Sequence, residues 1–213
     1  VSDTGHGKRA AFVDLATDEG RTRLRDLVRE VDVFTQGYRQ GALERLGFGP
    51  LELAALRPGI IVTAINCYGH EGPWRARPGW EQLGQTVSGM AVMHGDEDGP
   101  KLQPGAVTDY TTGFLAAFGS LVALQRRALY GGSYLVRVSL VQTATWLRGL
   151  GLAHDAEARQ VTPDEVRAWS VREDTGFGPM THLRPPVTMS ATPARWSRPV
   201  VRLGSDEPAW LPR

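Results

Sequence analysis

The sequence predicts an α/β protein built on an open, mainly parallel, Rossmann-like sheet flanked by helices. Two observations carry this: the unbroken apolar, β-branched run Ile60-Ile61-Val62-Thr63-Ala64-Ile65, and the alternation of strand-like with helical segments up to about residue 150. A strand that is apolar on both faces needs cover on both, which helices on either side of a parallel sheet provide.

Taken in order, Ala10 to Asp14 reads as a short strand, and Thr17, Asp18 and Glu19 supply a cap and first-turn acids for a helix. Leu24, Leu27, Val28 and Val31 give that helix one apolar stripe, with Arg21, Arg25 and Arg29 opposite. Val31 to Thr35 reads as a strand, and Ala42 to Leu46 and Leu51 to Leu56 as brief helices punctuated by Gly47 and Pro50. After the run at 60–65 comes a turn-rich passage to Gly79, then a helix over Trp80 to Met93 and a long loop over 94–107. The longest periodic segment, Tyr110 to Tyr130, is helical and ends at Gly131-Gly132; Tyr134 to Leu140 alternates as a strand, and Val141 to Leu150 follows as a helix. Residues 1–150 are therefore expected to form the core, and 151–213 an irregular C-terminal extension. Pro163 opens a short helix there, and Met180 to Ser190 reads as a hairpin or edge segment, kept from a central position by Pro185 and Pro186.

Composition narrows the function. The 213 residues carry 24 basic and 23 acidic side chains, a net charge of +1, with 41% hydrophobic residues. That is a globular composition without the basic footprint of a nucleic-acid or anionic-membrane binder. Cys67 is the single cysteine, which excludes an intrachain disulfide and thiolate metal clusters and fits a cytoplasmic setting. No run of about 20 apolar residues and no hydrophobic signal core are evident. No dinucleotide fingerprint, phosphate loop or zinc-helix spacing is present, and histidines 6, 70, 94, 154 and 182 are scattered, so no metal site is expected.

Asp109 sits where the glycine-rich loop meets the most hydrophobic helix. There it can cap the helix, or its carboxylate, favoured in ionised form by the helix end, can attack an activated carbonyl; the two roles are compatible. Glu81 lies at another helix start and can orient or repel Asp109. Arg39, Arg45 and Arg57 offer guanidinium groups for phosphate, although a chain with 22 arginines and two lysines has many on its surface.

An ordered series of motifs then gathers these residues. Gly7-Lys8-Arg9, Asp14-Leu15, Gly37-Tyr38-Arg39-Gln40-Gly41 through Gly47, Arg57-Pro58-Gly59-Ile60-Ile61, Tyr68-Gly69-His70-Glu71-Gly72-Pro73, Arg77-Pro78-Gly79-Trp80-Glu81, Gly89-Met90, Asp109-Tyr110-Thr111-Thr112-Gly113 and Gly131-Gly132-Ser133 resemble, in order and spacing from residue 7 to about 147, the class III coenzyme A transferases. The related α-methylacyl-CoA racemases belong to the same group.

The resemblance implies that Asp109 attacks an acyl-CoA thioester, with Trp80 and Glu81 beside it, and that CoA passes to a carboxylic acid through a covalent aspartyl intermediate. It places Gly37, Tyr38, Arg45 and Leu46 along the CoA path, with Arg39 next to them. Coenzyme A and acyl-CoA are then substrates, and no tightly bound cofactor is implied. Trp80 stands where the racemases have histidine, and indole cannot shuttle an α-proton, so racemisation is the weaker reading. The chain departs from the family pattern at Gly37 and Gln40, begins after the family's first strand, and shows no small domain after Leu150. Its tail from Thr175 resembles the family's C-terminal return segment. The expected partner is a second copy, or another CoA-transferase-like half; the alternative is a catalytically weak half that binds acyl-CoA or supports assembly.

Overall fold

The computed structural model describes residues 2–151 and 159–212. Helix α1 (Asp18–Val28) is followed by strand β1 (Val33–Gln36), a 3-10 turn at Glu44–Leu46, α2 (Pro50–Leu56), β2 (Ile61–Asn66), α3 (Glu81–Val87), α4 (Met90–Met93), α5 (Val107–Tyr130), β3 (Tyr134–Ser139) and α6 (Leu140–Gly149). The last elements are α7 (Pro163–Trp169), β4 (Ser170–Thr175) and β5 (Gly178–Leu183).

The described residues group into two units, Leu24–His154 and Val1–Arg23 with Asp155–Arg213. This differs from the expected division at residue 150, because the first residues belong with the C-terminal segment.

The larger unit is the α/β core, its sheet ordered β1-β2-β3 with every pairing parallel. Ile61, Val62, Thr63 and Ala64 are all buried on the central strand, as an apolar run covered on both faces requires. Helix α5 returns the chain from the carboxyl end of β2 to the amino end of β3. Gly119 lets the helix come close: a Cβ there would stand 2.7 Å from Val136 Cγ1. The inward face of α5 also carries polar groups, all satisfied: Thr63 and Ser120 hydroxyls lie 2.7 Å apart, and Thr112 donates to Thr143 at 2.8 Å. Among the described residues α5 alone is long and apolar enough to cross a membrane, a test that a helix packed on a sheet also passes.

Within the first 150 residues, three expected elements differ. The strand expected at 10–14 reduces to one bridge, Ala11 with Asp206, because the Asp206 carboxylate takes the Ala10 amide at 2.8 Å and Phe12 is 74% exposed. The helix expected over 80–93 breaks into α3 and α4 at Gly89, whose φ of 79° is left-handed. The expected helix at 42–46 shortens to the Glu44–Leu46 turn, closed by Gly47 at φ 81°.

In the smaller unit, α7 opens with a reciprocal capping box between Thr162 and Glu165. Strands β4 and β5 form an antiparallel hairpin from Ser170 opposite Leu183 to Thr175 opposite Gly178, so the hairpin or edge segment expected over Met180 to Ser190 is corrected: only Met180 to Leu183 of it is strand. It ends before Pro185-Pro186, which lack the N–H groups a ladder needs.

Candidate active site

In a parallel sheet the loops at the carboxyl ends of the strands share one edge. Here that edge receives the segment after Gln36, the segment from Cys67 to Trp80, and Ser139, which caps α6 by accepting from the Gln142 amide. Because α5 runs antiparallel to the strands, its N-terminus, with Asp109, lies at the same edge.

Asp109 is the third residue of α5 and is exposed; Ala106 occupies the capping position with φ 52°. The expectation that Asp109 caps the helix is thus corrected. The carboxylate that serves the free amides of α5 comes from α3: Glu81 Oε1 accepts from the Thr108 amide at 3.3 Å, the Thr108 hydroxyl at 3.1 Å and Gln85 Nε2 at 2.7 Å. Glu81 is buried at the first position of α3, and Gln85, one turn on, is fully buried. Gln85 also clasps the loop ahead of α5, accepting from the Gln103 amide at 2.7 Å and donating to its carbonyl at 3.2 Å. A buried polar chain therefore fixes Thr108, and through the backbone it fixes Asp109.

The electrostatics correct a second expectation. Packing around the Asp109 carboxyl raises its pKa above the ordinary aspartate value, and the charge of Glu81 raises it further. The helix end does not dominate, and the outcome is a more basic carboxylate oxygen. Cys67 lies close enough to feel Asp109: burial pushes its thiol up and the Asp109 charge adds to this, while a hydrogen bond with Tyr68 opposes. Cys67 Sγ reaches the Trp80 carbonyl at 3.6 Å, and Trp80 holds its ring outward, 60% exposed. Gly79 makes this approach possible, since a Cβ there would meet Cys67 Cβ and Sγ at 2.5 Å.

Gly37, Tyr38, Arg39 and Arg45 are exposed beyond the carboxyl end of β1, and Leu46 is half-buried. Tyr38 lines a narrow cleft that continues along His70 and Arg137. The same His70 and Arg137 line a second, wider cavity of about 290 Å³ with Tyr68, Glu71, Ser139 and Gln142. The sequence reading missed Arg137; an arginine on the exposed face of an alternating strand gives no local signal. Arg57, grouped with Arg39 and Arg45 by sequence, lies at the opposite end of the sheet. It approaches Asp32 at 3.8 Å, beside Arg127, which binds Asp32 at 3.0 Å and the Gly59 carbonyl at 3.1 Å.

Residues 2–172 match the model of CoA-transferase family III. The acetyl-coenzyme A transferase nodX of Hypoxylon pulicicidum is 37% identical over 152 residues, 68% of this chain and 26% of its own. Succinyl-CoA--D-citramalate CoA-transferase of Chloroflexus aurantiacus is 33% identical over 136 residues, 63% of this chain and 34% of its own. The chain thus spans about a quarter to a third of the length of these curated relatives. A crystal structure of an aspartate-to-alanine mutant of Rv3272 from Mycobacterium tuberculosis superposes with a TM-score of 0.83 at 19% identity, covering 99% of this chain and 84% of that one, a likeness of fold.

Proposed function

The chain belongs to CoA-transferase family III, and from that premise we propose that it carries the nucleophile of a CoA transfer between an acyl-CoA and a carboxylic acid. The observation that supports this best is the exposed Asp109 carboxylate, more basic than an ordinary aspartate and positioned through Thr108 by the buried Glu81. A more basic oxygen is a stronger nucleophile toward a thioester carbon.

In the proposed sequence an Asp109 oxygen bonds to the acyl carbon and the C–S bond breaks, giving an acyl-aspartyl anhydride and CoA thiolate. The thiolate attacks the Asp109 carbonyl, forms an aspartyl-CoA thioester and releases the donor acid. The acceptor carboxylate then attacks this thioester and expels CoA thiolate, which adds to the acceptor's acyl carbon and frees Asp109. No step consumes or releases a net proton, so no separate general base is required.

Glu81 is a positioning residue in this reading. In the same reading Trp80, exposed and next to Glu81 in sequence, is assigned to flank the reacting carboxylate, and Gly37, Tyr38, Arg39, Arg45 and Leu46 to line the approach of CoA. Arg137 joins them as a further cation for phosphate or carboxylate. A second CoA-transferase-like subunit completes the assembly, for which the outward apolar face of α5, with Phe114, Phe118 and Leu121 each more than 60% exposed, is suited. A cytoplasmic location belongs to the same proposal.

The test is to incubate the chain with acetyl-CoA or succinyl-CoA, quench with hydroxylamine and map the product by mass spectrometry. A hydroxamate at Asp109, absent from Asp109→Asn, is expected. CoA binding without any adduct would replace this reading with that of a binding or assembly half.

A further inference from the structure

Two histidines separated by most of the chain face one carboxylate within the smaller unit. His6 lies in the tight turn Gly5 to Lys8, where the Lys8 amide donates to the Gly5 carbonyl and the Gly7 amide is tied to the Arg198 carbonyl at 2.9 Å. Glu173 and His182 lie on the hairpin: His182 pairs with Val171 and Glu173 with Met180, so both side chains occupy one face as diagonal neighbours. His6 Nδ1 stands 3.7 Å from Glu173 Oε2, and His182 Nε2 stands 3.4 Å from the same oxygen. One donor atom from each residue falls within 4.8 Å of the other two. The imidazole rings stack with centroids 3.8 Å apart, and Trp196 backs His6 at 6.0 Å.

The polar atoms that meet here are desolvated and unsatisfied. His6 is 2% exposed, the His182 side chain is 6% exposed, and both His6 nitrogens, His182 Nε2 and Glu173 Oε2 make no hydrogen bond among the described residues. Leaving such groups buried and unmatched is costly, which calls for a ligand that satisfies them. The tautomer of His182 sharpens the point. Its Nδ1 lies 2.9 Å from the Leu183 carbonyl, an acceptor only, so Nδ1 carries the hydrogen, and in the neutral ring Nε2 then presents a lone pair to the carboxylate oxygen. Two electron-rich atoms face each other, and an electrophile between them removes the conflict.

We propose that His6, Glu173 and His182 bind a divalent transition-metal ion of the zinc class. Two imidazoles and one carboxylate are a donor set that suits zinc, and two of the observed spacings lie close to the edge of about 3.4 Å between ligands of a tetrahedral zinc ion. Holding one ion between both imidazoles requires the stacked rings, 3.8 Å apart between centroids, to part and turn their nitrogens toward it, a movement assigned to the turn that carries His6. The fourth position opens on a cavity of about 440 Å³ lined by Glu173, His182, Arg184 and Trp196, which leaves room for water. Such an ion fastens the N-terminal turn to the hairpin and adds its binding free energy to the stability of this unit. The site uses no residue of the proposed CoA-transfer machinery and stands independently of it.

The experiment strips the purified chain with a chelator, adds zinc, and measures stoichiometry by elemental analysis and affinity by competition with a chromophoric chelator. One equivalent of zinc per chain, a rise in melting temperature on addition, and the visible d–d bands of four-coordinate Co(II) are expected. His182→Ala should weaken zinc at least ~100-fold and Glu173→Gln at least ~10-fold, while His94→Ala leaves binding unchanged. Substoichiometric zinc in the wild-type chain, six-coordinate Co(II), or a His182→Ala variant that binds as the parent does would overturn the proposal in favour of a plain histidine–carboxylate pair. Should either variant fail to fold, the wild-type stoichiometry and Co(II) spectrum still decide the matter.

Discussion

Replacing Glu81 by alanine tests the idea that a buried carboxylate on α3 seats the nucleophile on α5. The substitution removes the one oxygen that accepts from Gln85 Nε2, the Thr108 amide and the Thr108 hydroxyl. Gln85 Nε2 keeps the Gln103 carbonyl, so two donors on Thr108, a fully buried residue, lose their partner. At about 1–3 kcal/mol for each buried donor, and with water able to enter part of the vacated space, the loss should be near 3 kcal/mol. For a chain of this size that corresponds to a fall in Tm of about 6–12 °C, readable by circular dichroism. Glu81→Gln keeps the volume and an acceptor oxygen but removes the charge, so its Tm should fall less. It also removes the charge that raises the Asp109 pKa, so the acid limb of the pH profile for CoA exchange should move to lower pH. An alanine variant melting within about 2 °C of wild type, or a glutamine variant whose acid limb moves upward, would refute the reasoning.

Other perturbations have equally definite outcomes. Because the folded state holds the Asp109 proton more tightly than the unfolded chain, ionising this group costs stability above its folded pKa and costs nothing below its unfolded one; Asp109→Asn should therefore melt slightly higher than wild type at pH 7, with the gap closing below pH 4 as thermal scans across pH would record. Gly79→Ala places a methyl group 2.5 Å from Cys67 and 2.8 Å from Tyr68 and should lower stability by about 1–3 kcal/mol in denaturant titrations. Glu165, gripped by two Arg159 nitrogens at 2.8 Å each, has its pKa lowered to about 2; its stabilising effect is present above the ordinary glutamate range and is lost as pH falls toward 2, and carbon-detected NMR should see Arg159→Ala return the titration toward normal. Phe118→Glu on the outer face of α5 should shift the chain toward monomer in light scattering while leaving its circular-dichroism spectrum unchanged, since that ring is 66% exposed.

Much of the fold was legible because burial leaves a local signature. The run at 60–65 marks a strand covered on both faces, and the length and periodicity of 110–130 mark a helix, although its large apolar residues Phe114, Phe118 and Leu121 point outward and it is Thr112, Ala116 and Ala123 that are buried. The run at 10–14 misled because Phe12 points outward and a distant carboxylate, Asp206, takes the place of a neighbouring strand. At the site, Asp109 and Glu81 were named from their positions at helix starts, but their division of labour was not visible: the cap of α5 comes from another helix, 27 residues away in sequence. Gln85 was readable in principle, lying one helical turn beyond Glu81. The pairing of His6 with His182 carries no local pattern, because only the folding of the N-terminal turn onto the hairpin brings them together.

The clasp of Gln85 on Gln103 has a consequence for redesign. It anchors the chain just ahead of α5 from the inside, so the exposed tip around Asp96 to Gly99, closed by its own short bridge, bears none of the weight of the nucleophile. That tip can be lengthened, shuffled or swapped between family members as a cassette while the reactive oxygen keeps its seat.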